Sequence, residues 1–90
     1  MKHIFIINPA AGSRDRTADY TQKIKAACKE LDYRIEVSQR PGDCARIARE
    51  AVQTGEEVRL YACGGDGTLN EVAAGAAGYP NAAEIGRAHV

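Results

Sequence analysis

The chain has no charge imbalance: twelve Lys and Arg stand against twelve Asp and Glu, for a formal net charge of zero. A balanced chain offers no overall field for nucleic acid or an acidic membrane surface. Its three cysteines are an odd number without C-x-x-C spacing, so neither a paired disulfide framework nor a zinc site is encoded. Cys28 and Cys44 fall on apolar faces of expected helices and Cys63 ends an expected strand, as small buried hydrophobes in a reducing cytosol would. No apolar run approaches membrane-spanning length, and Lys2 and His3 precede only Ile4–Ile7, too short for a secretory signal. A soluble, cytoplasmic protein is the expectation. Ninety residues make one small domain or part of a larger one.

Two phosphate-binding motifs are also missing. No Gly-Lys-Ser/Thr occurs, which removes the P-loop, and G-x-G-x-x-G fails because Asn70 stands where its last glycine would be. What is present is Tyr61-Ala62-Cys63-Gly64-Gly65-Asp66-Gly67-Thr68-Leu69-Asn70-Glu71-Val72. It reads as the end of a buried strand, a glycine turn and the first turn of a helix. Three glycines in four positions let backbone approach a ligand closely. Thr68 with Glu71 fits a T-x-x-E capping box, with Thr68 as N-cap. The amides of a helix start favour an anion, usually a phosphate. Asp66 would repel that phosphate unless a divalent cation or a ribose hydroxyl stood between them. The turn therefore suggests a nucleotide with magnesium.

The rest of the chain alternates strand and helix. Lys2–Ile7 is apolar without alternation, as in a parallel strand covered on both faces, and Asn8-Pro9-Ala10-Ala11-Gly12-Ser13 ends it. Tyr20, Ile24, Ala27, Cys28 and Leu31 form a helical stripe. Tyr33–Val37 alternates and is expected near a sheet edge. A Pro41-Gly42 turn follows, with Asp43 as the N-cap of a helix carrying Cys44, Ile47, Ala48, Ala51 and Val52 on one face. Gly55 ends that helix at C′, and Val58–Cys63 delivers the chain to the glycine turn. Leu69, Val72, Ala73, Ala76 and Ala77 are spaced as a further amphipathic helix closed by Gly78 and Pro80. The fold class is α/β, an open parallel sheet with flanking helices of Rossmann or flavodoxin type. Its ligand is expected outside the carboxyl ends of the strands, where three loops converge. A receiver domain shares the rhythm, but Asn8-Pro9 and the glycine loop stand where it would need acidic residues.

Gly64-Gly65-Asp66-Gly67-Thr68 followed by Asn70-Glu71-Val72 resembles the nucleotide loop of diacylglycerol kinase-type lipid kinases. NAD kinases and phosphofructokinases share the shorter Gly-Gly-Asp-Gly core. The lipid kinases also carry an Asn-Pro-x-x-Gly loop, here Asn8, Pro9, Ala10, Ala11 and Gly12. A nucleotide-contacting threonine precedes their Gly-Asp by four residues; Ser38 holds that position, keeping the hydroxyl and losing the methyl. The resemblance implies that these residues, with Gly65, Asp66, Gly67, Thr68, Leu69, Asn70 and Glu71, bind ATP with Mg²⁺ for γ-phosphoryl transfer to a lipid hydroxyl such as that of diacylglycerol. It places the general base, a carboxylate, and the lipid pocket in a β-rich second domain that this chain lacks, so no catalytic residue is named and the chain alone is expected to be inactive. An NAD kinase-like fragment and a non-catalytic nucleotide-binding module stay open as alternatives, and so does a homodimer. Residues 1–83 read as the domain's amino-terminal portion. Ile85-Gly86-Arg87-Ala88-His89-Val90 looks like a translated sequencing adapter, so residues 84–90 are expected to be a non-native tail, which removes His89 from the catalytic candidates.

Overall fold

The computed structural model describes residues 1–88, so His89 and Val90, the end of the suspected tail, lie outside the described residues. Seven elements alternate along the chain: β1 (Lys2–Ile7), α1 (Thr17–Ala27), β2 (Tyr33–Val37), α2 (Asp43–Gln53), β3 (Val58–Cys63), α3 (Asp66–Ala76) and β4 (Ala82–Arg87). The four strands form one parallel sheet in the order β2-β1-β3-β4. The expected α/β class holds, and β2 is indeed an edge strand.

Strand order explains the helix layers. The chain moves outward from β1 to β2, then turns back across β1 to β3 and on to β4. Crossovers of one hand put α1 on one face of such a sheet and α2 and α3 on the other. Ile4 and Ile6 of β1 point to the α2/α3 face, where they pack with Cys44, Ile47, Ala48, Val52, Leu60, Ala62, Val72 and Ala76. Phe5 and Ile7 point the opposite way, towards Ile24 of α1, Cys28 just past its end and Cys63 of β3. Burial of β1 on both sides is what its unalternating Ile-Phe-Ile-Ile run requires.

The stripe of α2 is buried as expected, with Cys44, Ile47, Ala48, Ala51 and Val52 inside. Small side chains there let α3 come so close that a Cβ at Gly75 would fall 2.9 Å from the carbonyl carbon of Ala45. Two other stripes are narrower than the spacing suggests. In α1 only Ile24 is buried, and Ala27 and Leu31 face solvent, because a single helix covers that face. In α3, Val72 and Ala76 are buried but Ala73 and Ala77 are exposed.

Both expected N-caps shift. Helix α3 starts at Asp66 with Gly65 as N-cap and no side-chain cap, so Thr68 lies inside the first turn and closes no capping box. Helix α2 starts at Asp43 with Gly42 as N-cap at φ +84°. In both cases a preceding glycine, three residues before Thr68 and one before Asp43, takes the non-helical conformation that the polar residue was expected to supply. Gly55, at φ +82°, occupies C′ after α2 as expected.

The change of pattern at Glu84 is not a break in the sheet. Residues 82–87 pair in parallel with β3, with one register shift beside Val58 and Arg59. Ladder hydrogen bonds use main-chain groups that any non-proline residue provides. Strand pairing therefore leaves the origin of residues 84–90 to the reading frame.

Candidate functional site

The sheet reverses its winding between β1 and β3, the switch point where open α/β sheets hold ligands beyond the strand ends. Two of the three expected loops leave from that point and are tied together. The Asn8 amide donates to the Cys63 carbonyl at 3.1 Å. Its side-chain Oδ1 accepts from the Ala10 amide at 3.1 Å, and its Nδ2 donates to Thr68 Oγ1 at 3.2 Å. One asparagine thus shapes its own loop as an Asx turn and bridges to the first turn of α3. Gly64 sits where the loops press together: a Cβ there would lie 2.9 Å from Thr68 Cβ and 3.2 Å from Ala11 Cβ. Thr68 is buried beneath this contact.

The third loop joins through the backbone, with the Ser38 amide donating to the Ile7 carbonyl at 2.9 Å. Ser38 is buried, and its loop is held by Asp43. The Asp43 carboxylate accepts from the Gln39 amide at 2.8 Å and from Arg46 Nε at 2.6 Å. These bonds, Arg46 first, hold the Asp43 carboxyl down at about 2. Arg46 lies one helical turn from Asp43, a spacing that could have flagged the pair from sequence.

Two cavities open around Asn8. One, of about 350 Å³, brings the expected Asn8, Pro9, Ala10, Ser38 and Glu71 together with Gln39, Arg40, Pro41, Gly42 and Cys44. The other, of about 310 Å³, gathers Asn8, Ala11, Gly12 and Gly65 with Ser13, Gly64, Arg16 and Tyr20. The first is within the range of small-ligand pockets and its exposed lining is mostly apolar. In the second, Arg16 is the cation beside the glycine turn. From sequence it could not be told from its neighbour Arg14, which pairs with Asp19 instead.

The remaining expected residues divide. Asp66 and Gly67 sit at the uncapped start of α3, whose first amides have no upstream partners within the helix. Asp66 is well exposed and ion-paired with Arg87 of β4. Leu69 is half-buried against the α2/α3 core and Asn70 is exposed; neither lines the two cavities. Cys63 is fully buried beside the turn, and burial pushes its thiol up to about 12, which leaves it no thiolate at neutral pH.

Uncapped amides, a glycine turn and two flanking cavities fit the phosphates and nucleoside of a nucleotide. The described residues contain no group of three or more His, Cys, Asp or Glu side chains able to hold a metal. Magnesium commonly binds through one or two carboxylates plus substrate phosphates. Asp66 fits a cation that arrives with the nucleotide, not one held by a protein cage.

Comparison with known proteins points the same way. The profile of the diacylglycerol kinase catalytic domain matches residues 2–87. A probable lipid kinase YegS-like protein of Serratia proteamaculans (strain 568) is 39% identical over 77 residues, covering 86% of this chain and 24% of its own length. The putative lipid kinase YtlR of Bacillus subtilis (strain 168) is 35% identical over 79 residues, covering 83% of this chain and 26% of its own. The chain thus spans about a quarter of the length of these relatives. No described helix is long and apolar enough to cross a membrane.

Proposed function

The chain belongs to the diacylglycerol kinase catalytic-domain family, and from that premise we propose that it is the ATP-binding portion of a lipid kinase. ATP supplies the γ-phosphoryl group, and the acceptor is a lipid hydroxyl of the diacylglycerol kind. Phosphoryl transfer needs positioning and charge neutralisation more than covalent help from the protein. Asn8 fixes the loop Asn8–Gly12 against α3. Gly64, Gly65 and the first amides of α3 approach the phosphates, Arg16 balances their charge, and Ser38 offers a hydroxyl. Asp66 orients the magnesium shell or a ribose hydroxyl. The general base and lipid pocket belong to parts of the kinase outside this sequence, so the 90-residue chain binds nucleotide without turning it over. The whole enzyme is cytoplasmic and meets its lipid at the membrane surface.

The observation that carries this reading is the Asn8–Thr68 bridge, which joins two loops at the topological switch point. The test is calorimetric titration of the 90-residue chain with Mg-ATP, with circular dichroism on the same sample. Saturable binding by a folded chain, weakened in Asp66→Ala, is expected. A folded chain that ignores ATP would refute the reading.

A further inference from the structure

We infer that Arg46 is a positioning residue for the nucleotide: by holding Asp43, it fixes the loop after β2 as a wall of the 350 Å³ cavity. This rests on the nucleotide reading above. Residues 38–42 all line that cavity, whereas Arg46 lines neither of the two beside Asn8. It therefore acts through its partner. Asp43 opens α2 and is buried, and its two oxygens divide between loop and helix. Oδ2 accepts from the Gln39 amide at 2.8 Å, and Oδ1 accepts from Arg46 Nε at 2.6 Å. On its outer side Arg46 donates from Nη1 to Glu50 Oε2 at 2.9 Å. A chain of bonds thus runs from the surface of α2, through a buried carboxylate, to the backbone of the loop.

Ser38 is anchored on two sides. Its own amide donates to the Ile7 carbonyl at 2.9 Å, and the next amide, that of Gln39, ends on Asp43. The second anchor depends on a balance of charge. A carboxylate kept from water is stable while a cation and hydrogen bonds meet it, and costly once the cation is removed. Without Arg46, Asp43 has two ways to recover, and each moves the wall. It can turn to water and release Gln39, or draw in Arg40, whose charge already lowers its pKa. Arg40 lines the cavity, so that exchange would pull a lining side chain away from the ligand. Arg46 removes both alternatives. An ordered wall matters because apparent affinity scales with the share of molecules whose site is already assembled.

Arg46→Met removes the guanidinium and keeps a long side chain of good helix propensity. Mg-ATP should bind the folded variant about tenfold more weakly than the original chain. Hydrogen exchange at the Gln39 amide should speed up about tenfold as well, while the amides of β1 keep their protection. Arg46→Lys, which leaves a cation within reach of Asp43, should fall between the two on both readings. A residue that only supports the fold would lower the melting temperature and leave both readings where they were. Unchanged ATP affinity in folded Arg46→Met, or a Gln39 amide as protected as in the original chain, would overturn the assignment. Should Arg46→Met fail to fold, Arg46→Lys carries the same two readings, and no change in either would overturn it equally. A folded original chain that takes up no Mg-ATP removes the nucleotide reading itself and Arg46's role with it.

Discussion

At Gly64, a single hydrogen atom in place of a side chain decides whether two loops can meet. A methyl group there would press on both Thr68 and Ala11, and Thr68 has little freedom to yield because it is buried and bonded to Asn8. Gly64→Ala should therefore cost about 1–3 kcal/mol, the usual range for overpacking. Urea denaturation would show a lower midpoint with an unchanged slope; an unchanged midpoint would mean that the loops are not in contact. Asp43 makes a second residue-scale prediction. Its carboxyl is lowered from an ordinary 3.8 to about 2 by Arg46, then the Gln39 amide, with Arg40 adding to the field. A depressed folded-state value means that the stabilisation is complete above the ordinary value and is lost as pH falls towards 2. Melting temperature should drop more steeply between about pH 4 and 2 than it does for Asp43→Asn. Parallel acid profiles for the two proteins would refute the buried pairing. Asp43 and Gly64 were visible in the sequence as a helix-start acid and a turn glycine. Their partners were not, because those contacts join residues that only the tertiary fold or a helical turn brings together.

Helices α2 and α3 show what periodicity can and cannot reveal about an element. Spacing identified the buried face of α2 completely, since Ile47 and Val52 flanked by alanines leave one choice of face. In α3 alanine fills both sides, so spacing could not separate buried Ala76 from exposed Ala73 and Ala77. The neglected residue was Gly75, which looks like a helix weakness. It is the point of closest approach, where a Cβ would meet the Ala45 backbone. Alanine at an exposed helix position would gain about 1 kcal/mol over glycine. Here the obstacle is a carbonyl group that cannot rotate away, and about 1–3 kcal/mol of overpacking opposes that gain. Gly75→Ala should lower the melting temperature despite its better helix propensity; a higher one would show that α2 and α3 are less tightly apposed. The caps were misread for a related reason. Thr68 and Asp43 have the chemistry of N-caps, but Gly65 and Gly42 precede them and take the cap conformation first.

Across the whole molecule, the parallel α/β class and the gathering of loops at the strand ends followed from rhythm and loop chemistry, because alternating β and α segments admit few parallel topologies. The order β2-β1-β3-β4 that makes the switch point came only with the fold. So did the unequal cover of the two faces, since it depends on which helices share a face. One consequence is that all three cysteines end up inside, Cys28 and Cys63 on the α1 side and Cys44 on the other. Burial raises the thiols of both Cys63 and Cys44, foremost by desolvation. A thiol reagent at pH 8 should therefore find few reactive groups until the chain opens, then all three. A domain of this size has a stability on the order of 5 kcal/mol, enough to slow labelling by more than a thousandfold. Ligand that binds only the folded chain multiplies that protection by one plus its concentration over its dissociation constant. Mg-ATP at a hundred times its dissociation constant should slow labelling of Cys63 by about a hundredfold. Cys63 directly precedes the glycine turn, so local opening of that turn would report there first. Protection of Cys28 and Cys44 alone would place the ligand away from the turn, and no protection at any cysteine would remove the nucleotide site from this chain.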